Sequence, residues 1–489
     1  MEDLIKGCFG LDIFVIKMDT KYIFMNKKHI HFIGICGVAM SAIALAFHKK
    51  GWKVTGSDKG FYPPVSTHLD NAGVEYYPGW HVEKMTKDGD PDLVVVGNVA
   101  GSTNSEWVYV QKNGLEYKSY PEVIAEYFVK PKSIVCAGTY GKTSTSALLS
   151  FILKDNNRDP SYMFGGLALG QMDSAKIGEG DYSIMEGDEY KTARWDKRPK
   201  FKLYSPTHLL LTAVSWDHAD IYKTEESYFQ EFRDLVRMVP KDGLIVACSG
   251  NEKVMETVEL SDCPIVTYGS SDTSMYQWKN ISQSTKGLRF EIKKGSKSFI
   301  ISSPMLGTYM AENITGAFAM AMEIGMDENS ITASVAKFEG MKRRLERRLD
   351  KEIKVFDDIA HSPEKAKSAL DNLRTVYTGK IIAVFEPNSG NRTKESIPQY
   401  ANAFLATDEV IIPRLTKIKL DLSDTETPFD GEKLAKVISK THKSVRCIED
   451  DEELVSQLVS SVRSGDVIVF LGSHGFRGMI ESTITELND

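Results

Sequence analysis

The chain has 489 residues, more than one hydrophobic core supports, because single cores stop growing at roughly 250 to 300 residues, so two to four domains are expected. Acidic side chains number 67 against 60 basic ones, a net charge of -7, with 42% hydrophobic and 26% charged residues; this excludes a dominant nucleic-acid footprint and points to small-molecule partners. No run approaches the ~18 consecutive apolar residues of a membrane span, and the six cysteines form no C-x-x-C pair, which argues against structural zinc or a disulfide scaffold and for a reducing, cytoplasmic setting.

Residues 1–28 make a poor signal peptide, since Glu2, Asp3 and Asp12 acidify them, and they read as a dispensable extension of uncertain structure. From His29 the pattern is strand, tight turn and helix: apolar His29 to Ile33, then Gly34-Ile35-Cys36-Gly37, then a helix from Met40 to Lys50 stopped by Gly51. A second strand from Lys53 to Thr55 ends at Gly56-Ser57-Asp58, which places Asp58 24 residues after Gly34, near the spacing at which a dinucleotide fold sets an acid on a ribose. The third glycine of G-x-G-x-x-G is missing, so the turn suits some pyrophosphate-bearing ligand. With the strand Leu93 to Val96, residues 29–130 are expected to form a parallel, Rossmann-like domain.

A second unit, residues 131–338, opens with a short buried strand, Ser133 to Ala137, that runs into Gly138-Thr139-Tyr140-Gly141-Lys142-Thr143 and an alanine- and leucine-rich helix. Glycines between a strand and a helix present backbone N–H groups at the positive end of the helix dipole, and the adjoining lysine supplies a point charge for phosphates. Gly138, Gly141, Lys142 and Thr143 fit that role, with the Thr143 hydroxyl expected on magnesium; Cys136 stands where the longer G-x-x-x-x-G-K-[ST] motif needs glycine. Strands are expected at Tyr182 to Met185, His208 to Val214 and Leu244 to Ala247. The first is followed by Glu186, Asp188 and Glu189, where a magnesium shell draws oxygen ligands, and the second by Asp217, His218 and Asp220. Residues 276–303 alternate like antiparallel strands, with a hairpin turn at Lys293-Lys294-Gly295-Ser296. After helices from Ala311 to Ile324 and from Ser330 to Phe338, residues 339–489 return to strand and helix alternation: strands at Lys354 to Phe356, Ile381 to Phe385, Glu409 to Ile412 and Val467 to Leu471, and a helix from Pro363 to Val376. The expected class is α/β in three domains: Rossmann-like, central P-loop ATPase-like with a small antiparallel addition, and a second Rossmann-like domain.

In this order, G-I-C-G-V-A-M (34 to 40), G-T-Y-G-K-T-S (138 to 144), E-G-D-E-Y (186 to 190), D-H-A-D-I-Y (217 to 222), the segment around Asn313, M-K-R-R-L-E (341 to 346) and D-D-I-A-H-S-P (357 to 363) resemble the Mur ligases. Those enzymes join amino acids or peptides to UDP-linked muramic acid. The strings V-T-G-S-D with Y-P-P-V-S-T, D-K-R-P-K-F and F-E-P-N-S resemble the recycling branch, murein peptide ligase, more than the branch that adds alanine. The resemblance implies that Gly138, Thr139, Gly141, Lys142, Thr143 and Ser144 hold ATP, with Thr143, Glu186 and His218 on magnesium ions. It further implies that Asn313 contacts adenine, that Arg344 and Asp358 bring the third domain to ATP, and that Gly34, Gly37, Val38, Met40 and Asp58 form the UDP-substrate turn. Arg194, Arg198 and Arg392 are candidates for the carboxylates of a peptide substrate, because a planar guanidinium matches them bidentately.

The reaction implied is ATP-dependent, ADP-forming ligation of L-Ala-γ-D-Glu-meso-diaminopimelate to UDP-N-acetylmuramate through an acyl phosphate; alanine addition and a catalytically silent nucleotide-binding protein are the alternatives. Departures from the family pattern are Tyr140 in place of a histidine, Tyr309-Met310 in place of H-N, Asn388 after E-P, and Asp188-Glu189-Tyr190-Lys191 in place of D-E-Y-D. The loop 138–143, Glu186 and His218 are expected to converge on one triphosphate, with the third domain closing about residues 338–345.

Overall fold

A computed structural model describes residues 28–170, 172–217, 221–417 and 428–488. The expected N-terminal extension, apart from Lys28, and His218 lie outside the described residues. The chain divides into two compact units, one ending at Lys118 and one from Ser119 onward, so the helix Tyr120–Tyr127 goes with the second. No helix among the described residues is long and apolar enough to cross a membrane.

The first unit holds β1 (His29–Ile33), β2 (Lys53–Asp58), β3 (Glu75–Pro78), β4 (Leu93–Val96) and β5 (Tyr117–Lys118), all parallel in the order β3-β2-β1-β4-β5. Every residue of β1 and β4 is buried, as expected for central strands covered on both faces. One buried carboxylate ties its elements together. Glu106 accepts hydrogen bonds from the Ser57 hydroxyl at 2.5 Å, the Tyr77 hydroxyl at 2.7 Å and the His81 N–H at 2.8 Å, and lies 3.5 Å from His31 Nε2. Burial pushes its pKa up, but His31, Ser57 and Tyr77 together outweigh burial and hold it below the usual carboxylate range.

The second unit contains two sheets. The larger comprises β6 (Lys132–Ala137), β7 (Ser161–Met163), β8 (Ala175–Lys176), β9 (Tyr182–Gly187), β10 (His208–Leu211), β11 (Leu244–Cys248), β12 (Ile265–Gly269), β13 (Tyr276–Ser284), β14 (Gly287–Lys294) and β15 (Lys297–Ser303). Their order is β15-β14-β13-β12-β11-β10-β6-β9-β7-β8. The expected hairpin is the β14–β15 pair, and the antiparallel strands are continuous with the parallel sheet because β13 runs parallel to β12. The helices Lys142–Asp155 and Tyr309–Glu323 share one core with this sheet, in which Leu148, Ile152, Ile314 and Phe318 are fully buried with Ile134 and Ile184. β10 stops at Leu211, three residues short of the expected Val214. The Thr212 hydroxyl donates to the Tyr140 carbonyl (2.5 Å), and the Ala213 carbonyl accepts from the Thr139 N–H (2.7 Å), so both residues serve the loop after β6 instead of extending the strand.

The remaining strands, β16 (Glu346–Asp350), β17 (Lys354–Asp358), β18 (Ile381–Glu386), β19 (Glu409–Pro413), β20 (Val445–Ile448) and β21 (Val467–Gly472), form a sheet ordered β16-β17-β21-β18-β19-β20, parallel except for β16. Alternate residues of its central strands feed opposite cores. Ile381, Ala383 and Phe385 meet Leu370 and Leu373 of the helix Pro363–Val376, whereas Ile382 and Val384 meet Leu454, Leu458 and Ile480. Asn372 on that helix joins the two sheets' regions: its carbonyl oxygen accepts from the Thr308 N–H (2.9 Å) and from Gln283 Nε2 (3.2 Å).

Replacing Glu106 with alanine strands three buried donors, and is expected to destabilise the first unit by about 3 kcal/mol. Hydrogen exchange over β1, β2 and β4 in the full chain measures this, and Glu106→Gln should lose less.

Candidate nucleotide-binding site

The loop after β6 is set by two glycines that no other residue replaces. Gly138 has φ +138, and a β-carbon there would come within 2.2 Å of Thr212 Oγ1 and 2.7 Å of the Ala213 carbonyl oxygen. Gly141 has φ +82 and caps the helix Lys142–Asp155 in the left-handed region; its β-carbon would lie 2.4 Å from Asn313 Oδ1. The helix Tyr309–Glu323 sets the Asn313 carboxamide directly beside the phosphate loop.

Asn313 is itself held by the residue that departs from the family pattern, since its Nδ2 donates to Met310 Sδ at 3.6 Å, while Tyr309 stays partly exposed. Thr139 fastens the other side of the loop. Its hydroxyl donates to the Ser215 carbonyl (2.9 Å) and lies 2.9 Å from the Tyr228 hydroxyl. Ser144 is buried in the first turn of the helix, and Tyr140 stands exposed at the loop's crest.

The three carboxylates that follow β9 have three different partners. Glu186 accepts from the Thr143 hydroxyl at 2.7 Å and from the Gly165 N–H at 2.6 Å, so the two oxygens expected on magnesium already touch. Burial pushes the Glu186 carboxyl up, against the opposing pull of Gly165, Thr143 and Lys142. Asp188 pairs with Lys200; burial raises it, but Lys200, Lys142 and the Tyr190 N–H together outweigh burial and hold it below the usual range. Glu189, fully buried, meets the Lys142 ammonium at 3.1 and 3.0 Å and accepts from the Tyr228 hydroxyl at 3.3 Å. Burial lowers Lys142, yet Glu189, Asp188 and Glu186 together raise it above an ordinary lysine, so it is charged at neutral pH. A glycine loop, a charged lysine and a paired hydroxyl and carboxylate therefore converge at the carboxyl ends of β6 and β9, an arrangement that can hold a polyphosphate and a hard cation. Among the described residues no group of three or more His, Cys, Asp or Glu forms a metal cluster.

The third sheet contributes Asp358 and Arg344. Asp358 is buried and accepts from the Leu345 N–H (2.7 Å) and the Ala360 N–H (2.8 Å), which fixes the bend that carries the exposed Arg344. Arg343, not singled out by the sequence, is the anchor of that bend: it donates to the carbonyls of Gly472, Ser473 (3.0 Å) and His474 (2.9 Å) and lies 3.3 Å from Asp357. The peptide candidates part company. Arg194 sits at an exposed loop tip, Arg198 forks onto Asp196 at 2.7 to 3.1 Å, and Arg392 is buried with Nε on the Phe429 carbonyl (2.8 Å) and Nη1 on the Thr416 carbonyl (2.9 Å).

In the first unit, Gly34 has φ +93 and its N–H donates to the Ser57 carbonyl (2.8 Å), which closes the turn before the helix Val38–Lys49. Gly37 caps that helix with no side-chain partner, Val38 is exposed, and Met40 is buried beneath the turn. Asp58 accepts from the Cys36 N–H (2.9 Å) and the Lys59 N–H (2.7 Å), so it stabilises the turn.

Three family models match in succession: the Mur ligase family catalytic domain over residues 29–129, the Mur ligase middle domain over 136–321 and the Mur ligase glutamate ligase domain over 343–474. The UDP-N-acetylmuramate--L-alanyl-gamma-D-glutamyl-meso-2,6-diaminoheptandioate ligase of Haemophilus influenzae is 29% identical over 466 residues, covering 94% of this chain and 99% of that protein. The UDP-N-acetylmuramate--L-alanine ligase of Pelotomaculum thermopropionicum is 30% identical over 458 residues, covering 92% and 95%. A solved murein peptide ligase from Psychrobacter arcticus superposes with a TM-score of 0.67 at 28% identity, covering 94% and 99%. The chain belongs to the Mur ligase family, whose members form amide bonds at the expense of ATP.

Proposed function

We propose that this protein joins the L-Ala-γ-D-Glu-meso-diaminopimelate tripeptide to UDP-N-acetylmuramate, with ATP consumed, in the cytoplasm. The observation that carries the nucleotide half of the reading is the contact of Thr143 with Glu186 beneath the Gly138 to Lys142 turn. The amine half is supported by the likeness to the Haemophilus enzyme along nearly the whole chain.

An ionised carboxylate is a poor electrophile. The muramic carboxylate oxygen attacks the γ-phosphorus, the bond to the β,γ-bridging oxygen breaks, and ADP leaves. The peptide's free amine then attacks the acyl carbon, phosphate departs, and the amine's proton passes to solvent or a nearby base. Lys142 places positive charge at the phosphate loop, and the backbone N–H groups around Gly141 receive phosphate oxygens. Thr143 and Glu186 would hold magnesium, an oxygen pair that suits a hard cation, with His218 the candidate for a second ion. Bound magnesium supplies charge neutralisation at the transferring phosphoryl group. Asn313 is assigned to the adenine side, Arg344 to the phosphates with Asp358 positioning it, and Gly34, Gly37, Val38 and Asp58 to the UDP end. Met40 supports that turn from below. For the peptide carboxylates Arg194, Arg198 and Arg392 are the candidates, of which Arg198 also bonds to Asp196 and Arg392 to backbone carbonyls.

Alanine addition is the second reading, favoured by the likeness to the Pelotomaculum enzyme. Phosphate release measured with ATP, UDP-N-acetylmuramate and either amine is expected to favour the tripeptide, and preference for alanine would overturn that assignment. Lys142→Ala should lower turnover roughly 100- to 1,000-fold; unchanged turnover would reject the assignment of the phosphate loop. Gly138→Ala is expected to abolish nucleotide binding while leaving the rest of the chain folded, checked by ADP titration beside circular dichroism.

A further inference from the structure

Glu189 of E-G-D-E-Y, after β9, and Tyr222 of D-H-A-D-I-Y, after β10, meet beside the phosphate-loop lysine. The Tyr222 hydroxyl donates to the Glu189 backbone carbonyl at 2.6 Å, and the Tyr228 hydroxyl, on the helix Glu225–Arg237, donates to Glu189 Oε1 at 3.3 Å. The two tyrosine rings stand edge to face with centroids 5.2 Å apart, and both residues are buried. Glu189 is therefore held at its backbone and at its carboxylate. That carboxylate straddles the Lys142 ammonium, with Nζ 3.1 Å from Oε1 and 3.0 Å from Oε2, while 15% of the Lys142 side chain stays exposed, enough for a ligand to reach it. The Tyr228 hydroxyl also lies 2.9 Å from Thr139 Oγ1, so this one carboxylate is joined to the phosphate loop at Lys142 and, through Tyr228, at Thr139.

A lysine ammonium rides on a flexible four-carbon stem, so its charge has a fixed place only where another group holds it. The neighbouring carboxylates hold other partners: Glu186 accepts from Thr143 and Gly165, and Asp188 pairs with Lys200. We infer that Glu189 is the positioning residue of the phosphate-loop lysine, held for that task by Tyr222 and Tyr228. This role rests on the ATP-dependent ligase reading above. Glu189 acts through Lys142 and takes no part in bond making. A full negative charge beside an anion site also opposes the binding of ATP itself. Glu189 thus weakens the ground-state complex while it orders the lysine for the phosphoryl transfer, and an interaction realised only in the transition state acts on kcat. Its removal should therefore move kcat and KM in the same direction, a signature that a loss of packing does not produce.

Phosphate release by the full-length protein, with ATP, magnesium, UDP-N-acetylmuramate and whichever amine it uses, tests this in three variants. Glu189→Gln keeps the shape and removes the charge, Tyr228→Phe removes one hydroxyl from the carboxylate, and Tyr162→Phe on β7 is the control, because its buried hydroxyl has no hydrogen-bond partner among the described residues. Glu189→Gln is expected to lower kcat roughly 10- to 100-fold while KM for ATP falls about threefold. Tyr228→Phe should lower kcat roughly 3- to 10-fold, and Tyr162→Phe should stay within about twofold of the parent. In Lys142→Ala, adding Glu189→Gln should change kcat less than about threefold, because a group that acts through the lysine has no effect once the lysine is gone. An unchanged kcat in Glu189→Gln, a KM that rises, or a loss as large in Lys142→Ala as in the parent would each overturn the inference. Should circular dichroism show Glu189→Gln unfolded, Tyr228→Phe decides, and an unchanged kcat there overturns it. If the parent releases no phosphate with either amine, the ligase reading fails, and calorimetry with magnesium and ADP takes over. Glu189→Gln should then tighten ADP about threefold in the parent and leave it unchanged in Lys142→Ala. Equal shifts in both, or a parent that binds no ADP, would sink the role of Glu189.

Discussion

The absence of room for a β-carbon at Gly138 and Gly141 is the constraint on which the site depends. The loop after β6 is wedged between Thr212 and Ala213 on one side and Asn313 on the other. Only a backbone without side chains passes through that gap with φ in the left-handed region. Its passage starts the next helix at Lys142, and that start sets the Thr143 hydroxyl against Glu186. The early end of β10 is part of the same fit, because the Thr212 hydroxyl and the Ala213 carbonyl bond to the loop.

Charge at the end of β9 is sorted by partner. Three carboxylates within four residues would repel one another if left alike, yet Glu186 meets neutral donors, Asp188 a lysine of the following loop and Glu189 the phosphate-loop lysine. The consequence is one carboxylate held up by burial beside a hydroxyl, where a cation is most strongly attracted, and two whose charge is already matched.

Much of this was legible in the sequence because it is local. Apolar runs bounded by glycine mark β1, β4, β6 and β21, and glycines followed by lysine and threonine announce a phosphate loop whatever surrounds them. What was not legible depends on distant partners. Nothing near Arg392 signals that carbonyls of Thr416 and Phe429 will occupy it, and adjacent Arg343 and Arg344 look alike until the end of β21 claims the first. Asp58 has the spacing of a ribose ligand, and the spacing does not announce its second task, accepting from the Cys36 N–H of the turn after β1 and from the Lys59 N–H. The join of the antiparallel strands to the parallel sheet depends on a β12–β13 register of only two residue pairs, too short to leave a pattern.

The chain between the two sheets of the second unit is anchored at both ends with almost nothing between. Gly340 and Lys342 bond to Leu169 and Leu167, and Arg343 is clasped to the end of β21 and to Ile359. Arg343 also has φ +58, a narrow well for a residue with a side chain. Any swivel of the third sheet over the phosphate loop is thereby confined to the torsions at the Lys342–Arg343 junction. Such a pivot favours a few discrete poses over continuous drift, and each opened pose must release the bonds that Asn372 makes to Thr308 and Gln283.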